Sequence, residues 1–222
     1  MVLSLRLQAV LELVQCTNIL ADIGTDHAYL PIEACKLDLC KTAIACDINK
    51  GPLEIANANI NAAGLNSRIQ TRLGDGLKPL NPNEADAIVI SGMGGMRIWN
   101  ILKEETDKAR FAKKLILQPQ HDLEELRRKL HSEGYSISAE KLVQEDNRFY
   151  VILLAFYSGE ITTWTPQQYF LGKTLHQSFA FLPYLLQQQD KINRYIHAVH
   201  DKTVAKMQLK WIEEAICLQS NG

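Results

Sequence analysis

Apolar positions along this chain switch between two periods. Around residues 4–14, Leu3, Leu7, Val10, Leu11 and Val14 recur at helical spacing, which predicts an amphipathic helix with Arg6 on its other face. Short apolar runs then recur, each bounded by turn residues. They are Ile19-Leu20-Ala21 ending at Asp22, then 41–48, 68–73, 86–90 and 114–117, and they read as strands buried in a sheet. Helical segments separate them at 31–37, at 52–63 closed by Gly64, from about Met96 with Ile98, Trp99, Ile101 and Leu102, and at 123–132 stopped by Gly134. Asp122 and Glu125 have the spacing of a capping box. Two adjacent strands, 136–143 and 149–156, close the series. Strand–helix alternation ending in a strand pair predicts an α/β fold, a Rossmann-like, mostly parallel sheet with one antiparallel edge strand.

The pattern changes from Thr165 onward, where no strand signal remains. Residues 184–218 contain neither glycine nor proline. Leu185, Ile192 and Val199 recur every seven positions, while a second stripe through Tyr195 and Leu209 is interrupted by Gln188 and Lys202. A loose, coiled-coil-like helical hairpin is expected, turning near 200–203. The chain thus divides into an α/β unit, 1–160, and an all-helical C-terminal extension, 161–222.

Composition narrows the classes. With 222 residues and 46% hydrophobic content, the chain can bury a real core. No apolar run is long enough for a membrane span, and residues 1–6 do not begin a secretion signal. A cytoplasmic location with no membrane partner is expected. The five cysteines are odd in number and lack CxxC spacing, which favours reduced thiols and no metal site. Net charge is −1, and the tail carries only a small cationic excess, so charge alone does not establish nucleic-acid binding.

The candidate chemistry gathers at strand ends. The turn Ala21-Asp22-Ile23-Gly24-Thr25-Asp26-His27-Ala28-Tyr29-Leu30-Pro31 has one glycine between two acids. Glycine there permits close approach of backbone to a ligand; the plainer alternative is that the acids cap the next helix. Asp47 stands 25 positions after Asp22, at the end of the second strand, where nucleotide-binding α/β folds hold a ribose diol. A surface loop aspartate is the alternative. Gly74-Asp75-Gly76 and Gly92-Met93-Gly94-Gly95 offer two more glycine-lined turns. The first turn lacks G-x-G-x-x-G, its acids would repel a pyrophosphate, and no GxxxxGK[ST] occurs. A ligand with a ribose and a cation but no phosphate fits better. S-adenosylmethionine is such a ligand, with Asp22 and Asp26 toward its cationic groups and Asp47 toward its ribose.

The turn 21–31, Gly74-Asp-Gly-Leu77, Gly92-Met-Gly-Gly95 and Leu117-Gln-Pro119, in this order, resemble the bacterial tRNA (adenine(22)-N1)-methyltransferase family over about residues 3–156. The resemblance implies a class I methyltransferase sheet, S-adenosylmethionine as donor, S-adenosylhomocysteine as product, and tRNA as acceptor. It makes Asp26 the counterpart of the family's proposed catalytic aspartate, with His27 and Tyr29 orienting or stacking on the base, or simply packing. The cofactor set it implies is Asp22, Gly24, Asp47, Ile48, Asp75, Gly76, Gly92 and Met93. Candidate substrate contacts are Arg6, Gln118, Pro119 and Gln120 near the base, and Lys191, Arg194, Lys202 and Lys206 on the tail. A monomer is expected. Gln120 stands where the family usually has asparagine, Val151 where a glutamate is common, and the tail reads as shorter than usual. No D/N-P-P-Y/F/W tetrad follows the fourth strand, which disfavours exocyclic-amine chemistry. Two other readings remain: a methyltransferase of another RNA or a small molecule, and a non-catalytic cofactor-binding protein.

Overall fold

Ser4 opens the first helix, α1 (Leu5–Val14), its hydroxyl accepting from the Leu7 N–H at 3.3 Å. The computed structural model describes residues 3–198 and 200–220. After α1 come β1 (Thr17–Ile23), α2 (Tyr29–Lys36), β2 (Cys40–Asp47), α3 (Lys50–Ala62), β3 (Ile69–Leu73), β4 (Ala87–Met93), α4 (Gly95–Glu104), α5 (Thr106–Phe111), β5 (Lys114–Pro119), α6 (Leu123–Ser132), β6 (Tyr135–Glu145) and β7 (Arg148–Tyr157). The sheet order is β3-β2-β1-β4-β5-β7-β6. β3, β2, β1, β4 and β5 run parallel, and β7 pairs antiparallel with both β5 and β6. The terminal hairpin forms one edge of the sheet, and its reversed strand is the inner of the two.

Strand side chains alternate strictly between two cores. On β4, Ala87 and Val89 face one cluster and Ile88 and Ile90 the other; on β5, Ile116 opposes Leu115 and Leu117. One cluster packs α1, α2 and α3, and the other packs α4, α5, α6 and the tail. Both faces are therefore covered, and the strands read as continuous apolar runs for that reason. Each fully buried Leu or Ile contributes about 1.5–3 kcal/mol. The chain winds outward from β1 in one direction and from β4 in the other. The β1/β4 boundary is thus the switch point, beside which such sheets bind ligands.

The tail consists of α7 (Pro166–Leu171), a 3₁₀ turn (Leu175–Gln177), α8 (Phe181–Tyr195) and α9 (Thr203–Ser220). The break between α8 and α9 begins a few residues earlier than the expected 200–203. Leu185 and Ile192 of the seven-residue stripe are buried, and Val199 lies outside the described residues. A buried ion pair joins the tail to the sheet. Arg127 on α6 meets Glu140 on β6 at 2.6 Å, with the side chains 0% and 1% exposed. Arg127 also donates to the Tyr169 carbonyl at 2.8 Å, and Glu140 accepts from the Lys173 and Thr174 N–H groups at 2.6 and 3.1 Å. His131 meets the Tyr169 hydroxyl at 3.1 Å and packs edge-on against Trp164.

One local expectation fails. Asp122 makes no cap bond to α6; at φ 57° its carboxylate turns to His121 Nδ1 at 2.7 Å. A capping box forms instead at Thr165 and Gln168, opening α7. Of the cysteines, 35, 40 and 46 are buried, whereas 16 and 217 are exposed.

Candidate active site

The turn after β1 is pinned to the end of β2. The N–H groups of Gly24 and Thr25 both donate to the Cys46 carbonyl at 2.9 Å. This bends the chain sharply, with Gly24 at φ 75°, Asp26 at 54° and Ala28 at 58°. Left-handed backbone at two non-glycine residues flanking His27 is strained by roughly 1 kcal/mol or more each. A side chain at Gly24 would also collide with Met93, whose Cε lies 2.5 Å from where a Cβ would stand. Met93 Cε is the free end of a flexible side chain and can shift, so it is the backbone conformation that calls for glycine there.

A cavity of about 300 Å³ opens over this turn. Of the residues expected from the sequence, it brings together Arg6, Asp22, Gly24, Asp26, His27, Tyr29, Gly92 and Gln120. Asp22 is only 6% exposed, and its carboxylate accepts from the Thr25 hydroxyl at 2.7 Å. Burial pushes its pKa up to about 6, against the pull of the Thr25 bond, and the neighbouring charge of Asp47 raises it further. A buried carboxylate of this kind is stabilised by a cation. Asp26 is exposed at the rim, with His27 Nε2 3.5 Å from its carboxylate. His27 Nδ1 is buried with no hydrogen-bond partner among the described residues, and the ring lies 5.2 Å from that of Tyr29.

Other expected residues form the surroundings rather than the cavity wall. Asp47 is buried at the end of β2 and accepts from the Asn49 N–H at 2.8 Å; Ile48 beside it is half exposed. The β3 turn is tied in by the Gly74 N–H, which donates to the Asp47 carbonyl at 2.9 Å. There Asp75 pairs with Lys78 at 3.1 Å, and Gly76 packs against Ile101. Met93 pairs with Pro119 across β4 and β5, next to a bulge in which Gly92 adopts φ 79°. β4 therefore runs through to Met93 rather than stopping at Ile90. Gln118 is fully buried and acts as a hub. Its carbonyl oxygen accepts from Arg6 at 2.9 Å, from the Gly92 N–H at 3.0 Å and from the Ser91 hydroxyl at 3.3 Å, while its amide donates to the Pro119 carbonyl. It supports the site from behind, with both ends of its carboxamide committed. Lys191 lies beside Gln120 in an adjoining hollow, whereas Arg194, Lys202 and Lys206 are exposed on the tail away from the cavity.

Thr25 and Ser91 belong to the site but were not singled out by the sequence reading. Thr25 follows Asp22 by three positions, a spacing that suits a hydroxyl-to-carboxylate bond. Ser91 shows its role through its bond from Arg6 at 2.8 Å and its own bond to Gln118.

A family model described as a methyltransferase domain matches residues 3–153. Over 153 residues the chain is 42% identical to the tRNA (adenine(22)-N(1))-methyltransferase of Bacillus subtilis, covering 69% of this chain and 64% of that one. The chain belongs to the tRNA (adenine(22)-N1)-methyltransferase family. The match spans just under two thirds of that relative's length. Two solved family structures cover the fold more fully. Streptococcus pneumoniae Sp1610, solved with S-adenosyl-L-methionine, is 33% identical with a TM-score of 0.89, covering 97% of this chain and 100% of that one. M. capricolum TrmK, solved with S-adenosyl-homocysteine, is 28% identical with a TM-score of 0.83, covering 97% and 98%. Both alignments extend into the tail.

Proposed function

We propose that this chain transfers a methyl group from S-adenosylmethionine to N1 of adenine 22 in tRNA. The observation that carries the reading is the acidic cavity at the switch point, with Asp22 buried beneath it and Asp26, His27 and Tyr29 around its opening. The residues suit the cofactor. Gly24 lines the cavity without a side chain, and Asp22 and Asp47 would offer two buried carboxylates to a cationic, ribose-bearing ligand. When bound, S-adenosylmethionine supplies the methyl group and leaves as S-adenosylhomocysteine.

Adenine N1 has a free lone pair, so the base attacks without first losing a proton. The N–C bond forms as the S–C bond breaks, and positive charge passes to the adenine ring. Asp26 is assigned to offset that charge from the rim. His27 and Tyr29 orient the base. Because N1 lies on the Watson–Crick edge, the base must leave any pairing before it enters. On this reading, residues 1–160 hold cofactor and base, residues 161–222 contact the tRNA body through phosphates, and the protein works as a cytoplasmic monomer.

Labelled S-adenosylmethionine and unmodified tRNA, followed by nucleoside analysis, test this directly. The expected product is 1-methyladenosine, absent when position 22 is not adenine. Cofactor binding with no methylated nucleoside would overturn the assignment of acceptor. Asp26→Asn removes the charge while keeping a residue that tolerates φ near 54°. Transfer is expected to fall about 100-fold, with cofactor affinity changed less than about twofold. Unchanged transfer would remove Asp26 from the mechanism.

A further inference from the structure

Beside the acidic cavity lies a second hollow of about 360 Å³, lined by Gln120, Arg148, Phe149, Tyr150, Gln187 and Lys191. The two adjoin. Gln120 borders both, and the Tyr150 ring carries the guanidinium of Arg6, a cavity residue, 5.7 Å from its centroid.

The walls of this hollow are built, not incidental. The β6–β7 hairpin turns at Asp146 and Asn147, with φ 48° and 60°. The Asn147 carbonyl accepts from Gln187 Nε2 at 3.1 Å, which ties the hairpin tip to α8. Behind it, Phe149 packs edge-on against Tyr184, with centroids 5.7 Å apart. The hollow therefore spans the seam between the sheet and the tail.

Its charge differs from that of its neighbour. The first cavity mixes Asp22 and Asp26 with Arg6 and His27; the second is lined by Arg148 and Lys191, with no carboxylate among its lining residues. Glu145, at the end of the same hairpin's first strand, accepts from the Leu5 N–H at 2.6 Å and so faces α1. Cations, an aromatic ring and two carboxamides are the set that single-stranded nucleic acid uses: phosphates on the cations, a base on the ring, base edges on the amides.

We propose that this hollow seats the nucleotide adjoining the methylated adenine, with its phosphates at Arg148 and Lys191 and its base stacked on Tyr150. The proposal rests on the tRNA reading above and names a subsite for it.

The test is binding of a dye-labelled, unmodified tRNA transcript to the full chain at several salt concentrations, with methyl transfer measured in parallel. The double variant Arg148→Ala/Lys191→Ala is expected to bind about tenfold more weakly. Its slope of log affinity against log salt should be shallower by roughly 1.4, the value for two lost single-strand phosphate contacts. Tyr150→Ala is expected to lose about tenfold, and Tyr150→Phe to keep wild-type affinity, because stacking needs the ring and not the hydroxyl. Cofactor affinity should be unchanged in all three, which reports an intact fold. Wild-type affinity and salt slope in the double variant would overturn the subsite, whatever the tyrosine variants do. If the wild type binds the transcript but makes no 1-methyladenosine, while the variants lose affinity as expected, the reaction assignment falls and the hollow stands as an RNA-binding subsite. If the variants bind as the wild type does while 1-methyladenosine is made, the reverse holds. No RNA binding by the wild type overturns both.

Discussion

The carboxyl edge of the sheet and the α8–α9 hairpin carry polar groups in contrasting ways. At the sheet edge they are buried and individually tied: Asp22 to Thr25, Asp47 to Asn49, and Gln118 to Arg6, Ser91 and Gly92. On the hairpin, Arg194, Lys202 and Lys206 stand in solvent, and the two helices exchange a bond as slight as that from the Tyr195 hydroxyl to Gln208 at 3.3 Å. Burial makes a single carboxylate chemically unusual at a cost in stability. Surface cations are ordinary one by one and act on a polyanion only together. The seam between the two regions follows the first rule, through Arg127 and Glu140.

The largest expected effect breaks that seam. Glu140→Gln leaves the Arg127 guanidinium buried without a counter-charge and should destabilise the protein by about 3–5 kcal/mol in urea or guanidinium unfolding. A loss under about 1 kcal/mol would mean that the tail is not anchored there. Next is Asp22. Its pKa is raised from the ordinary carboxylate range to about 6, so the unfolded chain releases this proton before the folded one does. The resulting loss of stability grows between about pH 4 and 6 and is complete above 6. Two pKa units correspond to at most about 3 kcal/mol. The ligand-free Asp22→Asn variant should therefore unfold later than wild type at pH 7.5, with the gap closing by pH 4, while its cofactor affinity falls. An equal melting temperature across this range would show that burial does not strain Asp22. In the wild type, calorimetric affinity for the cationic cofactor should rise from pH 5 to 7 as the carboxylate ionises. The smallest effect is Tyr195→Phe, which should shift stability by less than about 0.5 kcal/mol, since the lost bond is exposed.

The same contrast explains what could be read in advance. Helix α6 matches its expected bounds, 123–132, because its apolar positions and Gly134 agree on one answer. The strand ends bearing Asp22 and Asp47 were also legible, since each closes a short apolar run. By contrast, α5 was missed: it is six residues long and buries only Ala109, too little for a period to register. Gly92, expected in a turn beyond the strand 86–90, is absorbed in a bulge. Arg127 and Glu140 gave no sequence signal, because a pair 13 positions apart on different elements leaves no pattern in one dimension. Gln118 was noticed as a candidate base contact, but only the fold reveals that its amide faces inward.

The Arg6 bonds also bear on how the protein is made. Arg6 leaves the ribosome well before its partners Ser91 and Gln118, which follow 85 and 112 positions later. At about 5–20 residues per second, the first helix waits roughly 6–20 s for the strands that fasten it. One wall of the active site is thus completed only once β5 has been synthesised. The nascent protein acquires its competence late, by a closure across long sequence distance, and premature termination before β5 would release a chain with no finished site.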